Sequence, residues 1–146
     1  MEKNTVKTYK LKINYVNSEN GKQIIDSFTG EYEYGSSYDV MSPTVAGYSS
    51  AKTRVKGVMP RRSVTVTVMY TKNTYKLTVN YRHMNGAKAA KPYNGDYQYG
   101  QEYNVSSPII EGYKPSTAVV KGTMPSRNVT VSVIYTKIKH DEIIIN

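Results

Sequence analysis

Tyr9-Lys-Leu-Lys-Ile-Asn-Tyr15 recurs sixty-six residues later as Tyr75-Lys-Leu-Thr-Val-Asn-Tyr81. In the first stretch Tyr9, Leu11, Ile13 and Tyr15 fall on one side of an extended chain, and Lys10, Lys12 and Asn14 on the other. That is the period of a strand with one buried and one wet face. The match then runs on with an offset of sixty-five, because the second copy is one residue shorter in its first turn. Gly30-Glu-Tyr-Glu-Tyr-Gly35 answers Gly95-Asp-Tyr-Gln-Tyr-Gly100, and Ser42-Pro43 answers Ser107-Pro108. Lys56-Gly-Val-Met-Pro60 answers Lys121-Gly-Thr-Met-Pro125, and Val64 to Lys72 answers Val129 to Lys137. About half of the aligned positions are identical, so the chain is an internal duplication.

The repeat overrides the single-domain expectation for 146 residues. It predicts domains at 9–72 and 73–138, a linker at about 71–74, and tails at 1–8 and 139–146. Four linker residues reach at most about 14 Å, which predicts an end-to-end pair forming a short rod. Val6-Lys-Thr-Tyr9 resembles Lys72-Asn-Thr-Tyr75, so the chain is expected to begin in the tail of a preceding repeat or in its linker. The C-terminal stretch from Lys139 to Asn146 matches nothing upstream, which leaves it as a tail or the start of another domain.

Each copy reads as about five short strands. The last strand alternates Val64, Val66, Val68 and Tyr70 against Thr65, Thr67 and Met69. Asn20-Gly21 and Asn85-Gly86 are hairpin signals, since both residue types tolerate positive φ. Pro43 and Pro108 bar central pairing where they stand, because proline lacks an amide donor. Gly47-Tyr48 and Gly112-Tyr113 read as bends. No helical period persists over ten residues, and a single turn between residues 43 and 55 is the most that is expected. If the first and last strands pair centrally they run parallel, which gives a β-grasp-like sheet. The expected class is therefore mostly β, with α+β the alternative.

Composition narrows the function. The chain has no cysteine, hence no disulfide and no thiol chemistry. The net charge of +9 is spread evenly, and the longest basic cluster is Arg61-Arg62. A nucleic-acid binder concentrates such charge on one stripe, so none is expected as a partner. The even spread suits weak attraction to anionic surfaces such as acidic glycans, teichoic acids or acidic lipids. No apolar run approaches the length of a membrane-spanning helix, so no membrane insertion is expected. The two histidines, His83 and His140, belong to no Ser/His/Asp set or metal-spaced cluster, and His83 reads as a solvated loop residue. No enzyme activity, metal or cofactor is expected. Asn104-Val-Ser and Asn128-Val-Thr match the N-glycosylation pattern, a tripeptide that also occurs by chance. A Lys–Asn isopeptide through Lys12 and Asn14 is not expected, because the last strand offers Thr on its outer face and Lys12 becomes Thr78.

Aromatic usage is lopsided, with 15 Tyr, one Phe and no Trp. Every tyrosine of the first copy recurs in the second, and Tyr93, opposite Phe28, is the one extra. The plain reading is that most are half-buried, ring inside and hydroxyl wet. The functional reading takes Tyr32, Tyr34 and Tyr38, with Tyr97, Tyr99 and Tyr103, as glycan-stacking rings. Tyr32 and Tyr34 would share a strand face, with Glu31, Glu33, Asp96 and Gln98 as polar partners. Packing of this Tyr-x-Tyr face on the domain's own core is the reading given more weight.

The succession of Asn-Gly turn, Tyr-x-Tyr-Gly, Ser-Pro-x-x-x-Gly-Tyr, Gly-x-Met-Pro and Val-Thr-Val-x-Val-x-Tyr-Thr resembles the MucBP (mucin-binding protein) repeats of Gram-positive cell-wall-anchored surface proteins. Internalin-type B-repeats share much of this grammar. The resemblance covers nearly all of both copies. It implies an extracellular, ubiquitin-like β-grasp module of an adhesin, with mucin or other host glycans and neighbouring repeats of the same chain as partners. The chain itself is expected to be monomeric. The resemblance carries no binding motif that transfers residue by residue. The alternative function is a passive stalk that projects another domain from the cell surface, because identities between the copies concentrate at apolar, Gly, Pro and Tyr positions.

Overall fold

The computed structural model describes residues 6–139, in which twelve strands and no helix are found. The chain divides into two compact units between Lys72 and Asn73. The first holds β1 (Thr8–Asn17), β2 (Gln23–Glu33), β3 (Ser37–Met41), β4 (Tyr48–Ser50), β5 (Arg54–Val58) and β6 (Val64–Lys72). The second holds β7 (Thr74–His83), β8 (Lys88–Gln98), β9 (Glu102–Ser106), β10 (Tyr113–Pro115), β11 (Val119–Thr123) and β12 (Val129–Lys137). Thr71, Lys72 and Thr74, read from sequence as linker, belong to β6 and β7, which leaves Asn73 as the residue between them. Residues 140–146, where the unmatched C-terminal stretch falls, lie outside the described residues.

Each unit is a four-stranded sheet facing a two-stranded ribbon. In the first unit the sheet order is β2-β1-β6-β4 and the ribbon is β3-β5. The second unit repeats this with β8-β7-β12-β10 and β9-β11. The first and last strands pair centrally and in parallel, Leu11 opposite Val64, Ile13 opposite Val66 and Tyr15 opposite Val68. β2 and β4 flank that pair antiparallel, as expected of a β-grasp-like sheet. Among the described residues the ribbon, not a helix, covers the buried face of the sheet.

The expected five strands are in fact six. β4, read as a bend, hydrogen-bonds along β6 with Tyr48 opposite Lys72 and Ser50 opposite Tyr70. Three residues are too few to show a period of two, so its pairing was invisible in sequence. The hairpin between β1 and β2 carries a register shift between Ile13 and Tyr15.

The core is the alternation of β1 and β6 made solid. Leu11, Ile13, Tyr15, Val68 and Tyr70 are buried, with Val55 from the ribbon and Met59 just beyond it. Their counterparts Leu77, Val79, Tyr81, Val133, Tyr135, Val120 and Met124 are buried in the second unit. Tyr15 and Tyr70 meet edge to face with ring centroids 6.0 Å apart, and Tyr81 and Tyr135 do so at 6.2 Å. Such a pair contributes about 0.5–1.5 kcal/mol beyond its buried area.

The recurring short motifs hold this core shut. The Tyr70 hydroxyl donates to the Pro43 carbonyl at 2.6 Å, and the Ser42 hydroxyl donates to the Lys52 carbonyl at 2.6 Å. Tyr135 with Pro108, and Ser107 with Thr117, repeat both bonds. Ser-Pro is thus the point where the long loop is tied to the last strand. In Gly-x-Met-Pro, Met59 plugs the core while its amide donates to the Ser36 carbonyl and its carbonyl accepts from the Gly35 amide. Gly57 lies beneath the Tyr38 ring: a Cβ there would stand 2.5 Å from the tyrosine oxygen, a separation that real Cβ atoms do not tolerate.

Tyr70→Phe keeps the ring and removes the hydroxyl, which leaves a part-buried carbonyl unpaired. It should cost about 1–2 kcal/mol, read as a lower urea midpoint for the first repeat, and Tyr135→Phe should do the same to the second. An unchanged midpoint in both variants would show that the loop does not depend on this bond.

Candidate functional site

The six tyrosines singled out from sequence divide into two environments. Tyr32 on β2 and Tyr38 on β3 lean together with centroids 5.8 Å apart, and both pack against the first core. Tyr97 and Tyr103 repeat the contact at 5.8 Å against the second core. Each spans from sheet to ribbon, because Tyr38 stands opposite Gly57 and Tyr103 opposite Gly122, where no side chain intervenes. These four rings are half-buried and packed against their own cores.

Tyr34 does not share a strand face with Tyr32. β2 ends at Glu33, and Gly35 turns the chain with φ of 84°, in the left-handed region that glycine enters freely. Tyr34 therefore stands on the turn, 56% exposed, with the Arg61 guanidinium 4.3 Å from its ring centroid. Tyr99 occupies the same place after β8 and is half-buried, and its amide donates to the Asn73 carbonyl. Ser126 stands where Arg61 would be. Glu31, Glu33, Asp96 and Gln98 alternate with Tyr32 and Tyr97 onto the opposite, exposed face, so they do not flank the rings.

The extra tyrosine has a specific effect. The Tyr93 and Tyr97 hydroxyls lie 2.7 Å apart, a bond that Phe28 cannot make in the first repeat. This hydrogen bond, helped by burial, holds the Tyr97 proton and pushes its pKa up to about 12. Burial likewise raises Tyr15, Tyr70, Tyr81 and Tyr135 above the ordinary value of 10.0.

Two of the surface depressions lie beside Tyr48 and Tyr113. One of about 380 Å³ in the first repeat is edged by Met41, Ser42, Thr44, Tyr48, Thr53 and Arg54. Arg54 is already engaged there, donating to Asp39 at 3.1 Å. The other, of about 470 Å³ in the second repeat, is lined by His83, Met84, Tyr113, Thr136 and Lys137 among others. His83, expected in a solvated loop, ends β7 and is half-buried, its ring 4.8 Å from that of Tyr113 at 57°. The signal available in sequence was its position: His83 replaces Asn17 beside the one-residue shortening. Asn128, of the second glycosylation-like tripeptide, accepts the Lys76 amide at 2.9 Å and so has a structural role. Asn14 accepts from the Ser27 hydroxyl at 2.7 Å. Among the described residues no group of three or more His, Asp or Glu could hold a metal ion, and no helix is long and apolar enough to cross a membrane.

Comparison with known proteins gives one family and several relatives. The profile of the MucBP domain matches residues 10–71 and again 76–136. Internalin J of Listeria monocytogenes serotype 4b is 32% identical over 144 residues, covering 92% of this chain and 15% of its own length. Internalin J of serovar 1/2a is 32% identical over 136 residues, covering 87% and 16%. The chain thus spans about one-sixth of the length of these curated relatives. Among solved structures, the type 2 repeat of the mucus binding protein MUB from Lactobacillus reuteri aligns with a TM-score of 0.43 and 19% identity, over 89% of this chain and 100% of that one. The mucin-binding domain of Spr1345 from Streptococcus pneumoniae aligns with 0.40 and 13%, over 47% and 93%.

Tyr97 gives an alkaline signature. A tyrosine whose pKa is raised on folding contributes stability that is complete below the unfolded value and lost as pH climbs through the folded one. Stability of the second repeat should therefore fall between pH 10 and about 12. In an ultraviolet titration Tyr93→Phe should bring the last-ionising tyrosine of that repeat to lower pH; an unmoved curve would mean that the Tyr93 bond does not hold the proton.

Proposed function

The chain belongs to the MucBP domain family, and from that premise we propose that it is an extracellular repeat module of a bacterial cell-wall-anchored surface protein, which mediates adhesion by binding mucin or other host glycans. The observation that carries the reading is the match of the family profile to both copies over nearly their whole length. Two further features support it. The net charge of +9 favours encounter with acidic glycans without requiring one concentrated patch. The second repeat presents a ring-lined concavity beside a lysine, a surface on which a sugar face can stack while its polar groups hydrogen-bond.

A second reading, a passive spacer, is favoured by a different observation. The buried residues of the first repeat recur one for one in the second, and Ile13 to Val79 is the single change among the seven. Tyr32, Tyr38, Tyr97 and Tyr103 also pack on their own cores. What the duplication preserves is thus scaffold, which a stalk needs as much as an adhesin does.

Retention of the intact chain on immobilised mucin, before and after enzymatic removal of its glycans, separates the two. The adhesin reading predicts retention that is lost on deglycosylation and weakened by added salt. No retention on mucins of any source would leave the spacer.

A further inference from the structure

The two repeats share a core but differ at one rim, where β1 and β7 run into their turns. In the first repeat the turn is Asn17-Ser-Glu-Asn-Gly21, and in the second it is His83-Met-Asn-Gly86. With the Asn-Gly pairs aligned, Glu19 is the residue without a counterpart.

That one omission changes the chemistry of the rim. In the first repeat two side-chain contacts tie the turn to the end of β6, beside the Ser18 amide's bond to the Tyr70 carbonyl. The Ser18 and Thr71 hydroxyls lie 3.1 Å apart, and Lys72 Nζ stands 3.6 Å from Glu19 Oε2. In the second repeat Thr136 and Lys137 occupy the places of Thr71 and Lys72, but Met84 replaces Ser18 and the acid is gone. Lys137 is exposed and makes no ion pair among the described residues. Met84, 73% exposed, offers an apolar side chain where the first repeat has a hydroxyl. His83 replaces Asn17 and lays its ring against Tyr113. The result is the concavity of about 470 Å³, lined by the tilted His83–Tyr113 ring pair together with Met84, Thr136 and Lys137.

Those groups suit one class of ligand. Ring faces and Met84 take the C–H face of a pyranose, because both are apolar and polarisable. Thr136 supplies a hydroxyl for a sugar hydroxyl. Lys137, which no described carboxylate pairs, meets an external anion without first giving up a partner among the described residues. We propose that this rim of the second repeat is a binding site for an acidic saccharide, a pyranose carrying a carboxylate or a sulfate, and that the corresponding rim of the first repeat, closed by Ser18, Glu19, Thr71 and Lys72, is not. The inference rests on the glycan-binding reading and gives it a site and a ligand class.

The test is calorimetric titration of the intact chain with a sialylated trisaccharide, a 6-sulfated galactoside and neutral lactose. At least one acidic saccharide should bind about tenfold tighter than lactose, the effect of one charge-assisted contact. The sialylated and sulfated arms distinguish carboxylate from sulfate. Lys137→Glu should remove that advantage, and His83→Ala should weaken acidic and neutral sugars alike. Lys72→Gln, at the matching place in the first repeat, should leave all three affinities unchanged. Circular dichroism of each variant confirms that it folds. Equal affinity for lactose and the acidic sugars overturns the ligand class. Undiminished binding in both Lys137→Glu and His83→Ala, or retention on mucin with none of the three sugars bound, overturns the site while glycan binding stands. Failure of the unaltered chain to bind either the sugars or mucin overturns the glycan-binding reading as well.

Discussion

Everything in each repeat depends on its first and last strands lying side by side. β1 and β6 are separated by nearly the whole repeat, yet they hydrogen-bond in parallel from Leu11 opposite Val64 to Asn17 opposite Tyr70. Closing a loop of that size costs entropy that must be offset by the contacts it creates, although the cost grows slowly with length. The offset is concentrated in the side chains that meet across the pair: Leu11, Ile13 and Tyr15 from one strand, Val68 and Tyr70 from the other. The intervening segments then attach to this pair. Pro43 is held by the Tyr70 hydroxyl, and Met59 and Val55 close the buried face. A domain of about 65 residues buries a smaller share of its surface than a larger one, and here no disulfide assists it. That explains why so many of the duplicated positions are core positions. Little of the core can drift without loss of the fold.

Much of this was legible in the sequence because it is local. The alternation of β1 and β6 is written in consecutive residues, and the duplication allowed each reading to be made twice. What escaped was set by distant partners. β4 is only three residues long and exists because β6 has a free edge beside it. The roles of Tyr32 and Tyr38 are decided by Gly57, which comes from another strand of the ribbon and leaves room for a ring. Tyr34 was assigned to the face of Tyr32 by a period of two, and that period fails once β2 ends at Glu33. His83 could be seen to replace Asn17, but its contact with Tyr113 depends on β10 lying along β12, which no local pattern announces.

The comparison of the repeats sorts scaffold from opportunity. Positions that recur are those that plug, tie or turn: Met59 and Met124, Ser42 and Ser107, Tyr70 and Tyr135. Positions that differ lie mainly on the surface, and there a small change has large local consequences. Replacing Phe28 by Tyr93 adds a hydroxyl pair inside the second repeat. Omitting Glu19 leaves the second repeat with a lysine that no described carboxylate claims. A repeat protein can thus keep one stable fold and vary recognition at a turn, because a hairpin tip tolerates changes of length that a core strand does not.

One core shared by both repeats carries two unequal rims, and the proposal to be tested is that recognition belongs to the second. The most direct measurement is an amide chemical-shift map of the intact chain titrated with mucin glycopeptides. The account predicts shifts gathered at His83–Gly86, Tyr113 and Thr136–Lys137, with the matching residues of the first repeat still. Shifts spread equally over both repeats, or centred on Tyr34 and Arg61, would contradict it.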